Sequence, residues 1–137
     1  MFIDSNITID IKVYWRKIKS RYEAFSNLEF RRLKLSDEEK KKYSVLNVKA
    51  VELTWELHNQ LQESAMDDNG EDRRWNFRKY KENKLKKIVK EWDAQDRGKP
   101  VPVIEQTILN LSPSIAEAII RSYDEISIMT EEEEKNS

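Results

Sequence analysis

Residues 6–15, NITIDIKVYW, alternate strictly, with Ile7, Ile9, Ile11, Val13 and Trp15 on one face and Thr8, Asp10, Lys12 and Tyr14 on the other. Period two predicts a half-buried strand. A lone strand has no stability of its own in water, so this one requires a partner in the same chain, in another copy or in a different protein. No second alternating run of that quality stands out. Residues 20–33, where Tyr22, Phe25, Leu28 and Phe30 lie among Arg and Lys, fit a moderately amphipathic helix. Ser36-Asp37-Glu38-Glu39 has the spacing of a capping box and predicts a helix start. The apolar positions Tyr43, Leu46, Val48, Val51, Leu53, Trp55, Leu57 and Leu61 then follow without proline or glycine, until Asp67-Asp68-Asn69-Gly70 supplies a stop and a turn. The valines at 45–51 mark a kink or interruption in that run.

A second long helix is expected over 72–96, its apolar set being Trp75, Phe77, Tyr80, Leu85, Ile88, Val89 and Trp92. Positions 85, 88, 89 and 92 form an i, i+3, i+4, i+7 stripe. Gly98 ends that helix, and Pro100 and Pro102 hold the following residues extended. Residues 103–111 allow one or two helical turns. Ser112-Pro113 opens a last helix, with proline at the first position where its missing N–H costs nothing. Ile115, Ala116, Ile119, Ile120 and Tyr123 recur at helical spacing along it and are expected to pack on the 85–92 stripe. Residues 130–137, TEEEEKNS, read as a disordered acidic tail. The whole reads as mainly α: one small helical domain over residues 1–129 with an N-terminal β-strand or short hairpin.

Composition agrees with one folded domain, since 38% of the 137 residues are hydrophobic, although 37% are charged. The 25 basic and 26 acidic residues nearly cancel, so any electrostatic function must be local. There is no cysteine, which removes disulfides, thiolate metal sites and cysteine nucleophiles, and His58 is the single histidine. With only Gly70 and Gly98, the glycine-rich phosphate loops of nucleotide enzymes are missing. No cofactor and no metal site are therefore expected. The N-terminus has neither the basic start nor the apolar core of a signal peptide, and no run approaches the roughly 18 apolar residues of a membrane span. A cytoplasmic protein without membrane association is expected.

Local charge concentrates at 73–90. Arg73, Arg74, Arg78, Lys79, Lys81, Lys84, Lys86, Lys87 and Lys90 face Glu82 alone, a local net of +8 that leaves −9 for the rest of the chain. With Trp75, Phe77 and Tyr80 interleaved, such a helix could follow a phosphate backbone and stack bases. The bland alternatives are a solvated face with inward aromatics, or docking to an acidic partner or to the chain's own acidic tail. Acidic pairs at 38–39, 67–68 and 71–72 read as helix caps, because the spacing of a calcium loop is absent. His58 has no nucleophile pattern around it, and no catalytic residue is assigned. Of the four tryptophans, two or three belong to the core and one or two to an interface, with Trp15, on a strand lacking a partner, assigned to the interface.

The C-terminal half carries a resemblance. Trp92-Asp93, the turn Gly98 to Pro102, the short helix at Ile108 to Leu111 and the pattern Leu111-x-Pro113-x-Ile115-Ala116-x-Ala118-Ile119 follow one another over residues 75–126. This order resembles the small tail assembly chaperones encoded beside the tape-measure gene of long, flexible-tailed bacteriophages. The resemblance implies a non-enzymatic protein that binds the tape measure protein, keeps that long helical chain soluble and recruits tail tube subunits. It further implies the host cytoplasm and absence from the mature virion. On this reading the partner-binding residues are Trp15, Trp92, Ile115, Ile119 and Tyr123, with self-association as a further property. The alternative is a small nucleic-acid-binding or regulatory protein that uses residues 73–90.

Overall fold

The computed structural model of the protein describes residues 7–70 and 72–135. It is 43% helix and 34% strand, a mixed α/β fold built on a four-stranded antiparallel sheet, and not the mainly helical domain that the sequence pattern predicts. The difference lies in the other three strands of that sheet and in two small hairpins, all of which the pattern conceals.

The first strand is where alternation places it. β1 (Thr8–Ile18) buries Ile11 and Val13, and residue 6, the expected start, lies outside the described residues. Its partners are in its own chain. β2 (Arg21–Ser26) pairs with it on one side in the register Trp15 with Ala24 and Val13 with Ser26. The two-residue turn is made by Lys19 at φ 58 and Ser20, a turn without glycine or asparagine, which is why a helix over 20–33 was the expectation instead. α1 (Asn27–Arg32) follows at once. Ser26 accepts from the Glu29 N–H at 3.2 Å while the Glu29 carboxylate accepts from the Ser26 N–H at 2.9 Å, a capping box that is visible in the sequence as Ser26-x-x-Glu29.

At Ser36 only half of the expected box forms, the Ser36 hydroxyl accepting from the Glu39 N–H, and α2 (Asp37–Lys40) is a single turn. The long helix expected after it is replaced by β3 (Ser44–Val51), which lies on the other side of β1 and buries Leu46, Val48 and Ala50. Val45 and Val51 on its opposite face are also apolar, so the alternation is blurred. Helix resumes only at α3 (Trp55–Ser64), capped by Thr54, whose hydroxyl accepts from the Leu57 N–H. The stop signal at 67–70 is part of a hairpin instead: Asp67, Asp68 and Asn69 lie in β4 (Met66–Asn69), which pairs with β5 (Asp72–Trp75), and Gly70 at φ 71 is in the turn.

The helix expected over 72–96 is only α4 (Phe77–Ile88). At Val89 the backbone becomes extended and the chain enters β6 (Val89–Trp92), the edge strand beside β3. The stripe 85, 88, 89 and 92 is thus half helix and half strand, yet all four side chains reach the same core, which is why helical spacing describes them so well. Nor does Gly98 end a helix. Arg97 at φ 53 and Gly98 at φ 79 form the two-residue turn between β7 (Gln95–Asp96) and β8 (Lys99–Pro100), both in the left-handed region that such a turn demands. α5 (Glu105–Leu109) and α6 (Pro113–Lys135) stand where expected, and α6 continues through residues 130–135 of the segment read as a tail. Residues 136 and 137 lie outside the described residues.

The sheet order is β2-β1-β3-β6. On its inner face Ile11, Val13, Leu46, Val48 and Ala50 meet Leu85 and Ile88 of α4 and Ile115, Ala118 and Ile119 of α6, so the expected packing of the last helix on the 85–92 stripe is present within one core. The outer face carries a smaller aromatic cluster. Phe30 of α1, only 7% exposed, stacks on Tyr14 at 4.0 Å between centroids and meets Tyr43 edge-on. Polar ties pin α6 around its apolar face. The Tyr123 hydroxyl donates to the Val51 carbonyl and accepts from the Leu53 N–H, both at 3.1 Å, and Lys84 reaches Asp124 at 2.7 Å. At the β2 end, Arg121 donates to Glu29 and the Ser26 hydroxyl to Glu125.

Two outcomes follow. Ile119→Ala, at a site with no exposure, should lower stability by about 3 kcal/mol in urea unfolding, while Trp55→Ala, 80% exposed, should change it by about 0.5 kcal/mol or less. Burial pushes the Glu29 carboxyl up, but the Ser26 N–H and the Arg121 guanidinium outweigh it and hold its pKa below the ordinary value. A depressed carboxyl contributes stability that is present above its unfolded pKa and lost as pH falls through the folded one. Glu29→Gln should therefore be less stable than the parent at pH 7, and the gap in urea midpoint should shrink as pH falls below about 4.

Candidate docking cleft

Trp15 and Trp92 come together at the end of the sheet where α6 begins. Trp15 points inward from β1, Tyr22 from β2 and Leu46 from β3, and Trp92 closes the side formed by β6. Pairing in register explains this convergence, because antiparallel partners share a face. The chain then leaves β6, turns through the β7–β8 hairpin, and returns past Val101, Thr107 and Leu111 to Ile115 on the first turn of α6. The result is a cleft of about 490 Å³, walled by Trp15, Tyr22 and Trp92 and floored by Leu46, Leu111 and Ile115. Asp93, Gln95, Thr107, Asn110 and Ser112 supply its polar groups.

The walls are held by specific bonds. The Trp92 indole N–H donates to the Val101 carbonyl at 2.7 Å, and the Val101 N–H donates to the Ala94 carbonyl at 2.9 Å, so the hairpin is strapped back onto β6. The Thr107 hydroxyl accepts from the Ile104 N–H at 3.1 Å and donates to the Pro102 carbonyl at 2.6 Å, which fixes the start of α5. The Asp93 carboxylate accepts from the Asn47 N–H at 2.8 Å and from the Asn47 side-chain amide at 2.7 Å, finishing the edge of β3 where β6 ends. Trp15 and Tyr22 meet at 5.8 Å between ring centroids with planes 48° apart.

Of the expected partner-binding residues, Trp15, Trp92 and Ile115 line this cleft together. Ile119 and Tyr123 do not; they lie in the core at 0% and 5% exposure, where burial also pushes the Tyr123 phenol up. Tyr22 and Leu46 had no signal, since both belong to strands that read as helix. The tryptophans divide evenly: Trp15 and Trp92 pack against the core, whereas Trp55 is 80% and Trp75 46% exposed.

The basic stretch is distributed over three elements, with Arg73 and Arg74 on β5, Lys90 on β6 and the rest on α4. Trp75 and Phe77 are exposed there, and Lys81 lies 4.8 Å from the Phe77 ring. Most of the cations are nonetheless paired. Arg73 bonds Glu63, Arg74 approaches Asp72, Arg78 bonds Glu82, Lys79 meets Asp67, Lys81 bonds Glu117, Lys84 bonds Asp124 and Lys86 meets Glu105. Lys87 and Lys90 have no carboxylate within 4.0 Å among the described residues. Lys84 is the buried member: desolvation works against its charge, but Asp124 outweighs it and raises the pKa. Among the described residues no group of three or more His, Asp or Glu side chains could hold a metal ion, and no helix is long and apolar enough to cross a membrane.

The architecture is thus a small α/β domain with an aromatic cleft at one end of its sheet. No family model matches the chain, and neither a curated protein nor a solved structure matches it significantly.

The strap predicts how Trp92 substitutions divide. Trp92→Phe keeps the ring but leaves the Val101 carbonyl without its donor and should cost about 1 kcal/mol. Trp92→Ala also loses the packing and should cost about 3 kcal/mol. Guanidinium unfolding of the two variants measures both.

Proposed function

We propose that the protein is a non-enzymatic assembly chaperone that holds a helical partner chain through the Trp15–Trp92 cleft, in the manner of the phage tail assembly chaperones that its C-terminal half resembles. One observation supports the reading most. Part of the stretch that carries the resemblance, from Trp92-Asp93 through the Gly98 turn to Ile115, supplies the Trp92 wall and, through Leu111 and Ile115, part of the floor of the cleft. Residues that look like packing and turn positions in the sequence are therefore residues of a surface feature. A concave, aromatic-rich surface with scattered polar groups suits the capture of an apolar helix face.

A partner of this kind is the long helical tape measure protein, with the tail tube subunit as the second component to be recruited. Nucleic acid binding at 73–90 is the second reading. Exposed Trp75 and Phe77 favour it, while the ion pairing of seven of the nine cations lowers the charge available to a phosphate backbone.

The test is co-expression with a long helical tape measure protein, followed by affinity capture through this chain at low and high salt. The chaperone reading requires a soluble complex that survives high salt, that weakens at least about tenfold in Trp15→Ala and that is unchanged in Ile104→Ala, at an exposed site outside the cleft. Capture of nucleic acid alone, lost as salt rises, would transfer the function to Arg73 through Lys90.

A further inference from the structure

The tip of the β1–β2 hairpin runs past the rest of the sheet. β3 begins its pairing with β1 at Ser44 opposite Trp15, so among the described residues Arg16, Lys17 and Ile18 are paired with β2 alone. A two-stranded ribbon has little stability of its own in water, and Ile18 and Tyr22 are exposed on its two faces. β2 is also one edge of the sheet. Ile18 and Arg21 close a two-residue turn and so form a hydrogen-bonded pair, from which bonded and non-bonded pairs alternate. Tyr22 and Ala24 therefore direct their N–H and C=O groups away from β1. The Ser26 N–H, next in that series, agrees, since its acceptor is the Glu29 carboxylate at 2.9 Å. On the outer face of this edge Arg21 and Glu23 stand two residues apart with opposite charges. Arg21 is exposed with no carboxylate within 4.0 Å among the described residues, while Glu23 accepts from Arg16 at 2.6 Å.

We propose that the β2 edge pairs with the β2 edge of a second copy of this chain, antiparallel and centred on Tyr22, so that two four-stranded sheets join into one. The charges select that register. With Tyr22 opposite its own counterpart, Arg21 of each copy lies opposite Glu23 of the other, and each Glu23 stands between its own Arg16 and the partner's Arg21. Centring the pair on Arg21 or on Glu23 instead sets like charges against each other. A two-fold contact needs a patch that is complementary to itself, and Arg21-x-Glu23 on an open edge is such a patch. Charges on an edge strand ordinarily block pairing, whereas here they block only the wrong registers. The outward main-chain groups of Tyr22 supply the attachment and the ion pairs the specificity. This pairing is independent of the docking role proposed above. It sets the two clefts side by side, since Tyr22 is a wall of each.

Sedimentation equilibrium of the full-length chain at rising concentration measures the association. The parent should dimerise, and Arg21→Glu and Glu23→Arg, each of which sets like charges opposite in a self-pair, should each weaken the dimer at least about tenfold. An equimolar mixture of the two variants should recover it, because one copy then carries two carboxylates and the other two guanidinium groups at the facing positions. A parent that stays monomeric up to about 100 μM overturns the proposal. So does a dimer that neither substitution weakens, or a weakening that the mixture does not repair. Amide hydrogen exchange gives a second readout on the parent chain, which decides even where a variant fails to fold. The Tyr22 amide should exchange at least about tenfold more slowly in the dimer than in the diluted monomer, and equal exchange in the two overturns the pairing at β2.

Discussion

The apolar seam between α6 and the inner face of the sheet is the interaction on which the other elements depend. Ile119 and Ala118 have no exposure, and they close over Ile11, Val13 and Val48, which are equally buried. Four twisted strands with that face open to water would not be stable, because the burial of one face supplies most of the drive to form the sheet. Ala118 contributes by being small, which lets the helix backbone approach the strands. Polar bonds around the rim then set the helix in one position. Tyr123 reaches the end of β3, Lys84 and Lys81 come from α4, and Arg121 and Glu125 reach the β2–α1 junction. Each surface pair is individually weak. Together they surround the seam on three sides and give a single register to a contact that apolar burial alone would leave free to slide.

The cleft is a geometrical consequence of where that helix starts. α6 begins at Pro113, and its first buried apolar residue is Ile115, so the helix does not extend over Trp15 and Leu46 at the end of the sheet. The chain covers that end with irregular structure: the β7–β8 hairpin, an extended proline-rich segment and one short helix. Such a covering cannot fill space as a helix does, since its backbone must satisfy its own hydrogen bonds, as it does between Val101 and Ala94 and between Ile104 and Thr107. The aromatic rings at the sheet end therefore remain partly open. Pro100 and Pro102 keep the segment extended and at a distance, which is a structural reason for two of the three prolines of the chain to stand there.

How much of this was legible in the sequence depends on whether the signal was local. β1 alternates cleanly because its outer face is polar, and the start of α6 is marked by Ser112-Pro113, so both were readable. β3 was not, because Val45 and Val51 at either end of its outer face blur the alternation that Asn47 and Lys49 keep, and β2 was not, because its turn uses Lys19 in a left-handed conformation that favours glycine. The stripe from Leu85 to Trp92 shows a different limit. Two helical and two extended residues that reach one core imitate helical spacing, and only the backbone change at Val89 separates the two cases. Trp15, Trp92 and Ile115 were identifiable as candidate contact residues, but Tyr22 and Leu46 join them only through strand pairing. The positive stretch was plain, whereas its neutralisation was not: Lys81 with Glu117 and Lys84 with Asp124 are pairs made by tertiary packing.

That neutralisation bears on what kind of recognition the molecule can support. In a chain with 37% charged residues and a net charge of −1, the cations at 73–90 are mostly committed to carboxylates of neighbouring elements. Exposed pairs of this kind give little free energy, but they cancel the long-range field that would draw in a highly charged partner. Selectivity then has to come from short-range features that salt does not screen: the shape of a cleft and the faces of aromatic rings. Trp15, Tyr22 and Trp92 supply both. Those rings stay uncovered because α6 starts at Pro113 and does not reach over them, so the site follows from the way the sheet ends.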